Sequence, residues 1–341
     1  MNYRDIGRPE LLADGDERSV QHFALSSRLS VKNVLFATDF SDTSRIASSH
    51  ALQLCVLLGA RLTILHVFEY GITPSWILGD PSIETDRFYE KAKFALDELE
   101  QAARRAKVIC TASIVSGIPS SIILETITSR DIHLVILGTR SAHGFERLVL
   151  VSTAEAVLRK ASCPVFTVGP LVRNTAKLMQ AESPVIFATD FQVTTVRAFG
   201  YAALFCKLMK VPLHCLHVLP LTFEGTSQRH LIPQIMTDAL HQLAAENGKT
   251  VDPPVCAVAY GSEISATVIG YAKQHNAKLI VLGVRKAPML ASHIPAHVAY
   301  RIIAEAPCPV LTMAFSGNAS TTLAAACLTG SVAGLDLAFQ P

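Results

Sequence analysis

Residues 33–41, NVLFATDFS, recur almost intact at 184–192 as PVIFATDFQ. In each copy Val34 to Ala37, or Val185 to Ala188, is apolar at every position rather than at alternate ones. That is the pattern of a short strand in a parallel sheet covered on both faces. The stretch that decides the fold is present twice, so the chain reads as one unit written twice.

Further landmarks repeat in order. Leu65-His66-Val67 returns as Leu216-His217-Val218 at the offset of the two aspartates, 190 − 39 = 217 − 66 = 151. Leu137-Gly138 matches Leu282-Gly283 and Cys163-Pro164-Val165 matches Cys308-Pro309-Val310, both at 283 − 138 = 308 − 163 = 145. A deletion of six residues (151 − 145) within the second copy accounts for the change. Units of about 130 to 140 residues are domain-sized, so this is a duplication of domains and not a solenoid of short repeats. The reading is an N-terminal arm (1–31), a first domain (32–170), a linker (171–183), a second domain (184–315) and a C-terminal tail (316–341) rich in Ala, Gly, Ser and Thr.

Half the residues are hydrophobic, 17% are charged and the net charge is +2, a composition for a soluble globular chain with no polyanion partner such as nucleic acid. No apolar run is long enough to cross a bilayer. The first residues mix Arg4, Asp5, Arg8, Glu10 and Asp14 and lack the basic-then-apolar order of a secretion signal. Eight cysteines include no CxxC pair, and Cys55, Cys163, Cys206 and Cys308 occupy apolar positions. Reduced core thiols in a cytoplasmic protein are the expectation.

Within the first copy the apolar run 33–37 is followed by a helix whose buried stripe is Ala47, Ala51, Leu54 and Leu58, stopped by Gly59. A strand over 62–67, a crossover containing Gly71, Pro74, Gly79 and Pro81, and a helix with a stripe of Phe88, Ala92, Ala95, Leu99 and Ala102 come next. Strands over 108–115, 134–138 and 165–168, with helices between them, complete the unit. The second copy repeats the course with strands at 185–188, 213–219, 255–259, 279–282 and 310–313. Strand and helix alternating throughout predicts an α/β fold: two tandem doubly wound domains, each a five-stranded parallel sheet with helices on both faces.

In such sheets ligands bind beyond the carboxyl ends of the strands, where strand order reverses. The rule selects Ala37-Thr38-Asp39, His66-Val67 and the loop opening at Gly138. Ala-Thr-Asp-Phe-Ser (37–41), Leu-His-Val (65–67), Leu-Gly-Thr-Arg-Ser-Ala-His-Gly-Phe-Glu-Arg-Leu (137–148) and Ala-Glu-Ala-Val-Leu-Arg-Lys-Ala-Ser-Cys-Pro-Val (154–165) occur in this order. Together they make residues 33–170, and again 184–315, resemble the universal stress protein domain. The resemblance implies a Rossmann-like fold of the adenine nucleotide alpha hydrolase type and, as in many members of that family, ATP binding; the residues themselves show no dedicated catalytic machinery, so no enzyme is expected. It implies contacts from Asp39 and the Val67 backbone, and from a phosphate loop of the form Gly, two residues, Gly, nine residues, Gly-Ser; Thr38, Arg140, Gly144 and Thr153 adjoin these positions and complete the candidate set. Bare amides and a helix N-terminus hold phosphate in such a loop, and glycines let the chain come close.

On the first copy the loop pattern falls on Gly138, Ser141, Val151 and Ser152: the spacing is kept and two of three glycines are replaced. Val151 adds two methyl groups at a point of close approach and disfavours a left-handed backbone. Arg140, His143 and Arg147 offer compensating positive charge. Ser152 has two readings, phosphate ligand or the first residue of an S-x-x-E capping box with Glu155. In the second copy Gly283 remains, but Lys286 and Ala296-His297 replace the others, and Pro288 and Pro295 stiffen the loop. Pro295 there fits a helix start. The expectation is weak or residual adenine-nucleotide binding in the first domain and a degenerate site in the second.

Asp39 and Asp190 either accept hydrogen bonds from a ribose or an adenine amine, or cap the following helix, a role for which Ser41 and Asp42 compete in the first copy. Among twelve histidines, His214 and His217 face opposite sides of one strand and no H-E-x-x-H or Cys/His cluster exists, so structural histidines and no metal site are expected. There is no G-x-S-x-G elbow, no G-x-x-x-x-G-K-[ST] loop and no G-x-G-x-x-G after the first strand. A stress-response or signalling module is the leading reading, against a non-binding interaction scaffold or chaperone-like protein and against a slow ATPase. The last strands, 165–168 and 310–313, are expected to pair within one chain as a pseudo-twofold unit, with association of two chains and the signalling partner left open.

Overall fold

A computed structural model describes residues 29–69, 81–139, 153–173, 183–191, 193–223, 231–247, 252–285 and 295–315. The first half runs β1 (Asn33–Thr38), α1 (Asp42–Leu58), β2 (Arg61–Phe68), α2 (Pro81–Arg105), β3 (Cys110–Ser116), α3 (Pro119–Ser129), β4 (Leu134–Gly138), α4 (Thr153–Lys160) and β5 (Val165–Val168). The second runs β6 (Val185–Ala188), α5 (Val193–Met209), β7 (Leu213–Pro220), α6 (Leu231–Asn247), β8 (Val255–Gly261), α7 (Ile264–Gln274), β9 (Leu279–Arg285), α8 (Pro295–Glu305) and β10 (Val310–Phe315). The expected N-terminal arm up to residue 28, the tail from 316 and most of the linker lie outside the described residues.

All strands join one ten-stranded sheet in the order β3-β2-β1-β4-β5-β10-β9-β6-β7-β8. Pairing is parallel within each half and antiparallel only where β5 meets β10, in the register Val310↔Thr167, Leu311↔Phe166 and Thr312↔Val165. Hydroxyls reinforce this seam from both sides: Thr167 Oγ1 donates to the Val310 carbonyl at 2.9 Å and Thr312 Oγ1 to that of Val165 at 3.4 Å. The strands that would be edges of separate domains satisfy each other, as the duplication requires.

Period-two alternation assigns successive strand residues to opposite faces. Val34 and Phe36 join a core with α1, α2, α5 and α6, while Leu35 and Ala37 join a core with α3, α4, α7 and α8. Each core runs under both halves, so the domains share packing as well as a ladder. Ser41 caps α1, its Oγ accepting from the Ser44 amide at 3.3 Å, and Gly59 closes the helix in the left-handed region at φ 62°.

Two expectations shift. The α2 stripe is centred on Ala92, Leu96 and Ala103, and Phe88 is exposed, because these residues follow the 4 and 3–4 spacing that faces the sheet. The third strand starts at Cys110 instead of 108, since the Val108 amide donates back to Ala103 at 2.9 Å and closes α2 before the ladder begins.

Candidate functional site

The strand order reverses between β1 and β4 in the first half and between β6 and β9 in the second. At the carboxyl end of β1 the chain makes a tight corner. Thr38 is buried, and its Oγ1 accepts from the Phe40 amide at 3.1 Å and from Ser44 Oγ at 2.9 Å. Phe40 sits at φ 59°, a region that a bulky residue enters only when its surroundings impose it. Its ring packs on His66 of β2 with centroids 4.5 Å apart, and His66 Nδ1 donates to the Thr38 carbonyl at 2.8 Å.

The second half builds the same corner. The Phe191 amide donates to Thr189 Oγ1 at 3.0 Å, Phe191 has φ 59°, its ring lies 4.9 Å from His217, and His217 Nδ1 donates to the Thr189 carbonyl at 2.9 Å. Burial holds His217 below the usual imidazole range, against the opposing effects of the Thr189 carbonyl and Asp190. With the proton on Nδ1, Nε2 is the acceptor face of the neutral ring. The histidines at both strand ends are thus structural.

Asp39 projects from this corner. Its Oδ1 accepts from the Ser41 amide at 3.0 Å and from Ser41 Oγ at 2.6 Å. Ser41, not Asp39 or Asp42, caps α1, because it is the residue whose extended backbone puts an oxygen under the Ser44 amide. Asp39 holds the cap in place through an Asx turn. Val67 lies one residue beyond the end of the β1–β2 register at Thr38↔His66, and it faces Val115 in β3.

Gly138 ends β4 directly beneath the first turn of α1. A Cβ there would stand 2.6 Å from the Ser44 nitrogen and 2.8 Å from both Ser44 Cα and the Thr43 carbonyl carbon. The close approach explains this glycine through packing alone. Thr153 begins α4, with Glu155 in the first turn, and Pro295 begins α8 as its sequence position suggests. The structure therefore places Thr38, Asp39, Val67 and Gly138 at the carboxyl ends of the neighbouring strands β1, β2 and β4, with Gly138 packed under α1 and Val67 on the β3 side of β2. Arg140, Ser141, Gly144, Val151 and Ser152 lie outside the described residues. Sequence reading missed the left-handed Phe40 and Phe191 and the Ser44 hydroxyl; the repeated Thr-Asp-Phe was their only signal. Among the described residues no group of three or more His, Cys, Asp or Glu side chains is arranged to hold a metal ion, and no helix is long and apolar enough to cross a membrane.

Two doubly wound parallel domains, fused through their last strands and each carrying a threonine–aspartate corner at the switch point, define a tandem Rossmann-type α/β protein. The sequence model of the universal stress protein family matches residues 30–169 and 183–313, and the chain belongs to that family, with two of its domains in tandem. A universal stress protein of Thermus aquaticus is 30% identical over 143 residues, 40% of this chain and 98% of the relative. One from Methanocaldococcus jannaschii is 28% identical over 140 residues, 40% of this chain and 81% of its own. The crystal structure of a universal stress protein from Archaeoglobus fulgidus DSM 4304 covers 84% of this chain and 97% of its own at a TM-score of 0.64 and 23% identity, a likeness of fold.

Proposed function

We propose that the chain is a cytoplasmic, non-catalytic stress-response module in which the first half takes an adenine nucleotide weakly and the second half is its structural partner. The observation that carries the reading is the Asp39 carboxylate, held by Ser41 at the carboxyl end of β1 where strand order reverses. A carboxylate at that point suits the hydroxyls of a ribose or an exocyclic amine. The Val67 backbone near the end of β2 and the α4 N-terminus at Thr153 would supply further polar groups. Nucleotide occupancy would then alter the segment between β4 and α4, and with it the surface offered to a partner or to a second copy of the chain.

A scaffold that binds no nucleotide is the competing reading. It is favoured by the Thr38–Phe40–His66 corner, which satisfies its own polar groups and recurs in the half with the more altered loop. Calorimetric titration with ATP, AMP and cyclic AMP separates the two, using the wild type, Asp39→Ala and the double variant Ser141→Gly, Val151→Gly. Weak heat in the wild type, lost in Asp39→Ala and increased in the double variant, is the expected result. A silent wild type with a binding double variant would establish the scaffold, and turnover abolished by Asp39→Ala would replace both readings with an enzyme.

A further inference from the structure

The outer edge of the second half gathers thiols that neither the fold nor the nucleotide reading uses. Cys215 of β7 and Cys256 of β8 are direct neighbours in the parallel register. Both belong to the core face covered by α5 and α6, so their side chains are adjacent across the ladder on one face. His241 of α6 places Nδ1 at 3.5 Å from Cys256 Sγ. Exposure grades outward across the three: Cys215 is buried, Cys256 is half-buried on the edge strand, and His241 is exposed.

Packing does not explain this set. At the matching register of the first half stand Ile64 and Ala112, and that half folds the same way. Adjacent strands lie about 4.8 Å apart, within the span of roughly 4.4 to 6.8 Å between α-carbons that a disulfide bridges.

We infer that Cys256, His241 and Cys215 form a hydroperoxide-sensitive dithiol site that closes to a disulfide between β7 and β8. His241 accepts the Cys256 proton, and the Cys215 thiol donates to the thiolate so formed. The hydrogen bond from Cys215 draws Cys256 below the usual thiol range against the effect of burial, while the same bond and burial keep Cys215 protonated. The Cys256 sulfur bonds to one oxygen of the hydroperoxide, the O–O bond breaks, and the departing oxygen takes the proton from His241, leaving a sulfenic acid and an alcohol or water. The Cys215 sulfur then bonds to Cys256 as the S–O bond breaks, and hydroxide leaves with the Cys215 proton as water. Two thiols lose two electrons to the hydroperoxide, and a small thiol reductant reverses the step.

Cys110 is the internal control. It is also half-buried on the third strand of its half, but burial and the Glu100 carboxylate push its thiol up to about 11. The full chain is exposed to graded hydrogen peroxide under native conditions, its remaining thiols are alkylated after denaturation, and its peptides are mapped by mass spectrometry. The expected result is a reducible Cys215–Cys256 cross-link that forms severalfold faster than Cys110 is lost. Cys256→Ser removes it, Cys215→Ala leaves a sulfenic acid at Cys256 that dimedone traps, and His241→Gln slows it severalfold. Loss of Cys110 at the same rate, a disulfide from Cys256 to any other cysteine, or an unchanged rate in His241→Gln would overturn the assignment. The comparison within the wild type requires no variant to fold.

Discussion

His50 makes the pH dependence of this fold calculable. It lies on the buried face of α1 with 2% of its surface exposed, its ring 5.8 Å from that of Phe166 in the seam strand β5. Among the described residues neither ring nitrogen has a hydrogen-bond partner. Burial lowers its pKa from 6.5 to about 4. The unfolded chain accordingly takes up a proton that the folded chain refuses. The contribution is fully present above pH 6.5 and is lost as pH falls towards 4. At about 1.4 kcal/mol per pH unit the loss reaches roughly 3 kcal/mol, of which roughly 2 kcal/mol has gone by pH 5. Other groups also titrate in this range, so the test is a difference. Urea unfolding followed by circular dichroism, at pH 7.5 and pH 5, compares the wild type with His50→Leu, which fills the site without an ionisable group. The stability advantage of the variant should grow by about 2 kcal/mol on acidification. Parallel profiles for the two proteins would show that the buried imidazole is not the source of the acid sensitivity.

Two glycine replacements should move stability in opposite directions. Gly138→Ala forces a methyl group to 2.6 Å from the backbone of α1 and should cost about 2 to 3 kcal/mol. Gly270→Ala, on the exposed face of α7 with nothing within 4 Å, should gain up to about 1 kcal/mol; both are read as shifts of the urea midpoint. Ser41→Ala removes the α1 cap and should cost about 1 kcal/mol in the same assay. Breaking the backbone between Arg173 and Ser183 should leave two halves that copurify through β5 and β10, whereas separate elution would refute the seam as an internal interface.

The fold was legible because its signals are local and duplicated. An all-apolar Val34 to Ala37 can only be buried on both faces, and Val185 to Ala188 repeats the statement. Pairing of the last strands followed from the need to satisfy two edges in one chain, and Thr167 and Thr312 add bonds that no periodicity announces. The α2 stripe was misplaced because Phe88 and Leu96 are both apolar, and only the distance to the sheet separates exposed from buried. The Cys215–Cys256 register was hidden for a different reason. The six-residue deletion falls between His217 and Gly283, so the alignment of β8 on β3 cannot be counted from either set of landmarks.

The corner changes what the repeat means. Identity of Ala-Thr-Asp-Phe in both halves suggests two equal ligand sites, yet these residues have structural duties there, and in the first half even the aspartate steadies the α1 cap through Ser41. Threonine accepts from the phenylalanine amide, phenylalanine turns through the left-handed region to cover the histidine, and the histidine donates a hydrogen bond to the threonine carbonyl. Such a closed set would be kept by folding alone, because removing one member strands the partners of another in a buried place. Even Gly138, the one loop glycine retained in the first half, is required by the first turn of α1. Shared motifs therefore carry the fold, and functional difference between the halves has to be sought in what they do not share: the loops after β4 and β9, and the thiols that stand in β7 and β8 where β2 and β3 have Ile64 and Ala112.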